Sequence, residues 1–126
     1  MPFIEATKNA MLDAITVDRI KLHDGAPGAA GNDNVVDFAA GGATYVAATF
    51  SAASSAARAL ATAREFTAAG LGLLDANQAV TYITFWEDDT TPILRASEAV
   101  TGVQAADGDG NYYVTTDTAL TLPDPS

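Results

Sequence analysis

The chain has 126 residues, sixteen of them acidic against six basic, for a formal charge of −10, and it contains no cysteine. That excess of negative charge repels phosphate backbones and anionic membrane surfaces, so neither nucleic acid nor membrane is an expected partner. The missing cysteine removes disulfides, thiolate metal sites and cysteine nucleophiles, and the length fits one domain able to bury a core, although much of the 48% hydrophobic content is alanine, which buries little area per residue.

At the N-terminus, Glu5 and Lys8 interrupt what would have to be the apolar core of a secretory signal. Ile4, Met11, Leu12 and Ile15 instead share one side at helical spacing, which predicts a short amphipathic helix over 4–15, starting near Pro2 and ending before Val17. Such a helix either plugs an open end of the fold or docks on another subunit, because short helices draw their stability from packing. Residues 19–23, RIKLH, alternate basic and apolar side chains and predict a first strand. The following DGAPGAAGNDN is punctuated by turn-forming pairs and predicts a surface loop, after which Val35, Val36 and Phe38 suit a brief edge strand broken by Gly41-Gly42.

Residues 44–51 predict a strand with Val46, Ala48 and Phe50 on one face. Over 52–67, alanine and arginine favour helix, yet alanines alternate with larger residues from Ala57 to Arg64; the reading adopted is an extended strand over 58–66. An irregular crossing at 69–78 leads to AVTYITFWED at 79–88, the clearest alternating run in the chain. Both of its faces carry bulky residues, so it belongs in the middle of a sheet with Tyr82, Ile83 and Phe85 in the core. Its end, Trp86 followed by Glu87, Asp88 and Asp89, is where the strand is expected to surface. Strands over 93–100, 112–116 and 119–122 then form an expected meander, with a tight Asp107–Asn111 turn between the first two, and 123–126 is a polar stop.

Candidate chemistry is sparse. Asp107, Asp109 and Asn111 have the spacing of half a calcium loop, but Tyr112 stands where that loop needs glycine and Thr118 where it needs its closing glutamate, so a self-capped turn is the better reading. Glu87, Asp88 and Asp89 could supply paired carboxylates for glycosidase-like chemistry through Glu87 and Asp89, but consecutive carboxylates on a turn more often point apart into solvent. His23 is the only histidine, which leaves multi-histidine metal sites out and makes a catalytic triad depend on that one residue. No phosphate loop, dinucleotide fingerprint or nucleophile elbow occurs, and no cofactor is expected. Of the aromatics, Tyr112 and Tyr113 are adjacent on a strand, so one of them points outward and suits a subunit interface or a sugar contact.

Four stretches, KNAMLDAI at 8–15, KLHDGAPGAAGND at 21–33, TYVAATFSAAS at 44–54 and VTYITFWED at 80–88, together resemble a family of small tailed-phage and prophage proteins labelled tail-fibre or minor tail proteins. The chain departs from that pattern at Val46-Ala47, where a basic residue is frequent, and at Thr84, where glycine is usual. The resemblance implies a virion structural component rather than an enzyme, on the tail or the capsid surface, partnered by other virion structural proteins and by copies of itself, a trimer being one such state.

The residues and the resemblance together lead to an all-β expectation: an antiparallel β-sandwich, jelly-roll or immunoglobulin-like, with one N-terminal helix. The expected function is tail-associated assembly, with capsid decoration as its alternative and a carbohydrate-binding module, using the tyrosines with Asp107 or Asp109, as the competing class. Met11, Ile15, Trp86 and the outward member of Tyr112 and Tyr113 are the expected interface residues.

Overall fold

The computed structural model describes residues 4–38 and 44–121. Among them are one helix, α1 (Glu5–Asp13), and eight strands: β1 (Arg19–His23), β2 (Tyr45–Ala47), β3 (Ala57–Ala59), β4 (Arg64–Phe66), β5 (Tyr82–Glu87), β6 (Ile93–Ala99), β7 (Tyr112–Val114) and β8 (Ala119–Thr121). All strand pairs are antiparallel, and the fold is mostly β with one short helix. The helix start near Pro2, the break at Gly41-Gly42, the end of the last strand at Leu122 and the stop at 123–126 lie outside the described residues.

A four-stranded sheet has the order β2-β1-β5-β6, which puts β5 in its interior with β1 and β6 as neighbours. Ile20 and Leu22 of β1 and Ile83 and Phe85 of β5 are buried in one apolar core, as alternation along both strands requires. Tyr82 is only partly buried, unlike the expectation for it, because it pairs with His23 and Ala99 at the end of the sheet. Asp18 and Asp88 flank the other end, where the Asp18 carboxylate accepts the Asp88 N–H.

The stretch expected as one strand over 58–66 is extended but split into β3 and β4. β3 pairs with β8 and β4 with β7, in a register that is the same on both sides of the split. Leu60 N–H donates to Thr118 O at 2.8 Å in that register, so β3–β4 and β7–β8 form one antiparallel ladder interrupted at its centre. On its other side the ladder meets residues 49–51, through Ser51 N–H to Ala59 O and Ala61 N–H to Thr49 O. Leu60, Phe66, Tyr112, Val114 and Leu120 share the core of the four-stranded sheet, with Phe50 packed edge-on against Phe85 at 5.8 Å and Phe38 against Phe66 at 5.1 Å.

The expected meander of the last three strands is therefore incorrect. Between β6 and β7 the chain pairs back on the entrance to β5, with Val80 N–H donating to Gln104 O and Ala106 N–H to Gln78 O, which carries β7 across to β4. Gly110 makes the final approach possible: its φ is +86°, and a Cβ there would lie 2.2 Å from Leu74 O. After β7 the Thr115–Thr118 turn does not reverse the chain, and β8 continues along the same partner segment. Val35 and Phe38 form isolated bridges rather than a strand.

α1 buries Leu12 alone and leaves Ile4 and Met11 exposed. Polar contacts fix it to the 53–58 segment: Asn9 Oδ1 accepts Ala56 N–H at 3.0 Å, Asp13 Oδ1 accepts Ala53 N–H at 2.7 Å, and Arg58 Nη1 donates to the Leu12 and Ile15 carbonyls. Arg58 thereby supplies the positive charge that the helix C-terminus lacks from its own last turn. The turn it holds is unusual. Ser54 and Ala57 exchange both backbone hydrogen bonds around Ser55 (φ 52°) and Ala56 (φ 59°), a two-residue hairpin turn in the left-handed region built without glycine or asparagine.

Candidate functional site

Two regions on opposite sides of β5 concentrate the side chains of interest. The first lies under the loop 24–34. Alternation turns Lys21 and His23 of β1 and Thr84 and Trp86 of β5 to the same face, away from the main core, and the loop folds over them so that all four are buried. Gly31 (φ +69°) is the closest point of that cover: a Cβ there would lie 2.9 Å from Leu94 and 3.0 Å from Trp86.

Every polar side-chain group in this cluster is matched. His23 Nδ1 lies 2.8 Å from the Asp33 carbonyl, which can only accept, so Nδ1 carries the proton. Nε2 of the neutral ring is then an acceptor, filled by the Thr84 hydroxyl at 2.7 Å, while Thr84 Oγ1 accepts Trp86 Nε1–H at 2.7 Å. Burial, with the Lys21 charge beside it, holds the His23 pKa below its ordinary 6.5 against the opposing pull of the Asp33 carbonyl and Asp24. Lys21 Nζ donates to Asn32 Oδ1 at 3.1 Å and sits 4.3 Å from the Tyr45 ring centre and 4.5 Å from that of Trp86, which meets Tyr45 edge-on. The Lys21 head group thus lies over two aromatic rings, where cation–π attraction offsets part of the cost of its enclosure.

The second region is a groove of about 490 Å³ between β6 with the 100–103 segment and the β7–β8 side of the ladder. Ile83, Val100, Val103, Tyr113 and Asp117 are among its lining residues. β6 is the last strand of the four-stranded sheet and β8 has a strand partner only in β3, so two strand edges without strand partners among the described residues face this groove. Glu98 spans it at one point, its Oε1 accepting Thr121 N–H at 3.1 Å and Thr121 Oγ1–H at 2.9 Å. Val103 (71% exposed) and Tyr113 (52%) present apolar surface to solvent here.

The expected interface residues are separated by this arrangement. Tyr113 is the outward member of its pair. Tyr112 is buried, its hydroxyl donating to Val103 O at 2.7 Å, and desolvation pushes its pKa up to about 12. Met11 is 39% exposed on α1, whereas Ile15 packs partly against the core. Trp86 is only 3% exposed, which corrects the expectation that the strand surfaces there: the loop and Tyr45 cover its ring, and the strand emerges one residue later. Nothing in the alternating pattern announces that cover; Gly31, small enough to lie against an indole, is its only trace in the sequence.

The carboxylates expected as alternatives are already engaged. Glu87 pairs with Arg95 at 2.8 Å, Asp88 with Arg19 at 2.8 Å, and Asp89 Oδ1 accepts Thr90 N–H, so the three point to different partners. Asp107 accepts the Asn111 and Asp109 N–H groups and the Asn111 side-chain amide, which holds its pKa below the usual carboxylate range and makes 107–111 a self-capped turn. Among the described residues no cluster of three or more His, Asp or Glu is placed to hold a metal ion, and no helix is long and apolar enough to cross a membrane. A shallower groove beside Arg19, Thr49, Thr62 and Arg64 contains the one buried side-chain nitrogen without a hydrogen-bond partner among the described residues, Arg64 Nε.

No family model, curated protein or solved structure matches the chain.

Proposed function

We propose that this chain is a structural component of a tailed-phage virion, tail-associated, that works by assembling with copies of itself and with other virion proteins, and that its contact surface is the groove between β6 and β7–β8. The observation that carries the assembly surface is the meeting of exposed Val103 and Tyr113 with two strand edges that have no strand partner among the described residues. Exposed apolar side chains and open edges are costly in an isolated subunit and are gained back when a neighbour covers them. The virion assignment rests on the resemblance of four stretches that run in order through most of the chain, and a role without catalysis fits carboxylates bound to separate local partners. A sandwich layout, jelly-roll or immunoglobulin-like, belongs to the same reading and is supported by the core common to the four-stranded sheet and the interrupted ladder.

Particles assembled without the protein, then incubated with it and imaged, test the reading: added density on the tail supports it, and density confined to the shell moves the assignment to capsid decoration. No addition to either sinks both. A second reading is favoured by Tyr113 itself, an exposed aromatic ring in an open groove that Asp117 also lines, since an aromatic face with a polar group nearby suits a sugar. Saturable binding on a glycan array that is lost in Tyr113→Ala would replace assembly by host-glycan recognition.

A further inference from the structure

We propose that the loop 24–34 is an acid-released clasp: when His23 takes up a second proton, the loop lifts and uncovers Lys21 and Trp86. In the closed state Trp86 Nε1–H, Thr84 Oγ1–H and His23 Nδ1–H each have one acceptor, and the chain ends on the loop at the Asp33 carbonyl. A proton on His23 Nε2 turns that nitrogen into a donor aimed at Thr84 Oγ1. The Thr84 hydroxyl, which is fully buried, then loses the acceptor it was using. An imidazolium without water and a buried hydroxyl without a partner are both unfavourable.

The surrounding groups offset this only in part. On β1 the nearest is Lys21, of the same sign; on the loop, Asp24 is attractive, while Asp33 contributes its carbonyl; on β5, Tyr82 stands opposite in register, and Val35, bridged to His23, brings no charge. At His23, β1 is flanked by β5 on one side and by the bridge to Val35 on the other, so the direct route for the ring to reach water is through the loop. That loop is built to leave as a unit. Asp33 N–H donates to Pro27 O, Gly31 N–H to Gly28 O and Asn34 Nδ2 to Ala26 O, all within the loop. Its side-chain ties to the rest of the chain are the hydrogen bonds from His23 and Lys21 and a longer one, 3.4 Å, from Gln78 Nε2 to Asp24 Oδ2, with Gly31 resting on Leu94 and Trp86. Opening binds a proton more tightly than the closed state does, so acid shifts the population toward the open form.

The sole histidine and the sole tryptophan of the chain meet at this site, so both can be followed without ambiguity in the full-length protein. Imidazole ¹⁵N shifts at neutral pH should report the Nδ1–H tautomer. On acidification, ring protonation and a red shift of Trp86 emission with increased acrylamide quenching should occur together, with a common midpoint below 6.5, while far-UV circular dichroism and the sedimentation coefficient stay constant. His23→Gln should abolish the fluorescence step. If that variant does not fold, Thr84→Val is the second test: loss of the hydroxyl that favours the neutral ring should move the step to higher pH. An Nε2–H tautomer, titration of His23 with no change at Trp86, loss of the whole fold in the same step, or an unmoved midpoint in Thr84→Val would each overturn the proposal.

Discussion

The two sides of β5 are organised on opposite terms. Toward the loop 24–34, a polar set of side chains is buried and paired; toward β6 and β8, apolar side chains are exposed and strand edges lack strand partners among the described residues. Both Trp86 and Tyr113 suit an interface by residue type, yet only Tyr113 lies on the open side. An aromatic residue near a strand end reports a place that needs covering, and the fold decides whether the chain or a neighbour covers it. In the proposed reading the closed side is a stability element and the open side a contact element.

That division can be broken by mutation. Trp86→Ala removes the ring under Gly31 and half of the Lys21 cage, and should cost about 3–5 kcal/mol in urea unfolding; a cost below about 1 kcal/mol, the range of surface positions, would mean that the cover is loose. Thr84→Val keeps the shape but strands Trp86 Nε1–H and His23 Nε2, for an expected loss of about 1–3 kcal/mol. Ala56→Gly relieves a left-handed alanine in the 54–57 turn, by more than glycine adds to the freedom of the unfolded chain, and should raise stability in urea unfolding by about 1 kcal/mol; an unchanged or lower stability would mean that the turn carries no strain.

The pH dependence separates the sides further. His23 has a folded pKa below its unfolded 6.5, so the unfolded chain binds the extra proton first. Its contribution to stability is complete above 6.5 and is lost as pH falls through the folded value. Urea midpoints of the wild type should therefore fall on acidification below 6.5 more steeply than those of His23→Gln. Parallel profiles would remove His23 from the account. The smallest stability change belongs to the open side: Val103→Asp should alter unfolding by less than about 0.5 kcal/mol.

Much of this architecture is legible in the residues. RIKLH has the bounds of β1 because its alternation is undiluted, and YITFWE reads as an interior strand because both faces are bulky. The loop over 24–34 follows from its turn pairs. What local pattern could not supply is pairing between distant segments: β7 and β8 look like hairpin neighbours of β6, but the return of 104–106 along 78–80 sends them to β4 and β3. The turn at Ser55-Ala56 was hidden because the usual glycine or asparagine is absent and α1 supplies its support. In the candidate site, the adjacency of Tyr112 and Tyr113 indicated one outward ring, whereas burial of Trp86 depends on a loop whose final position no periodicity encodes.

The proposed function makes the open groove, and not the covered tryptophan, the place where this protein meets its neighbours. Equilibrium sedimentation of the wild type and of Val103→Asp/Tyr113→Asp at matched concentrations tests it most directly, with circular dichroism confirming that the variant is folded. A concentration-dependent oligomer is expected for the wild type and a monomer for the folded variant. A wild type that stays monomeric at the highest concentration, or a double variant that assembles as the wild type does, would contradict it.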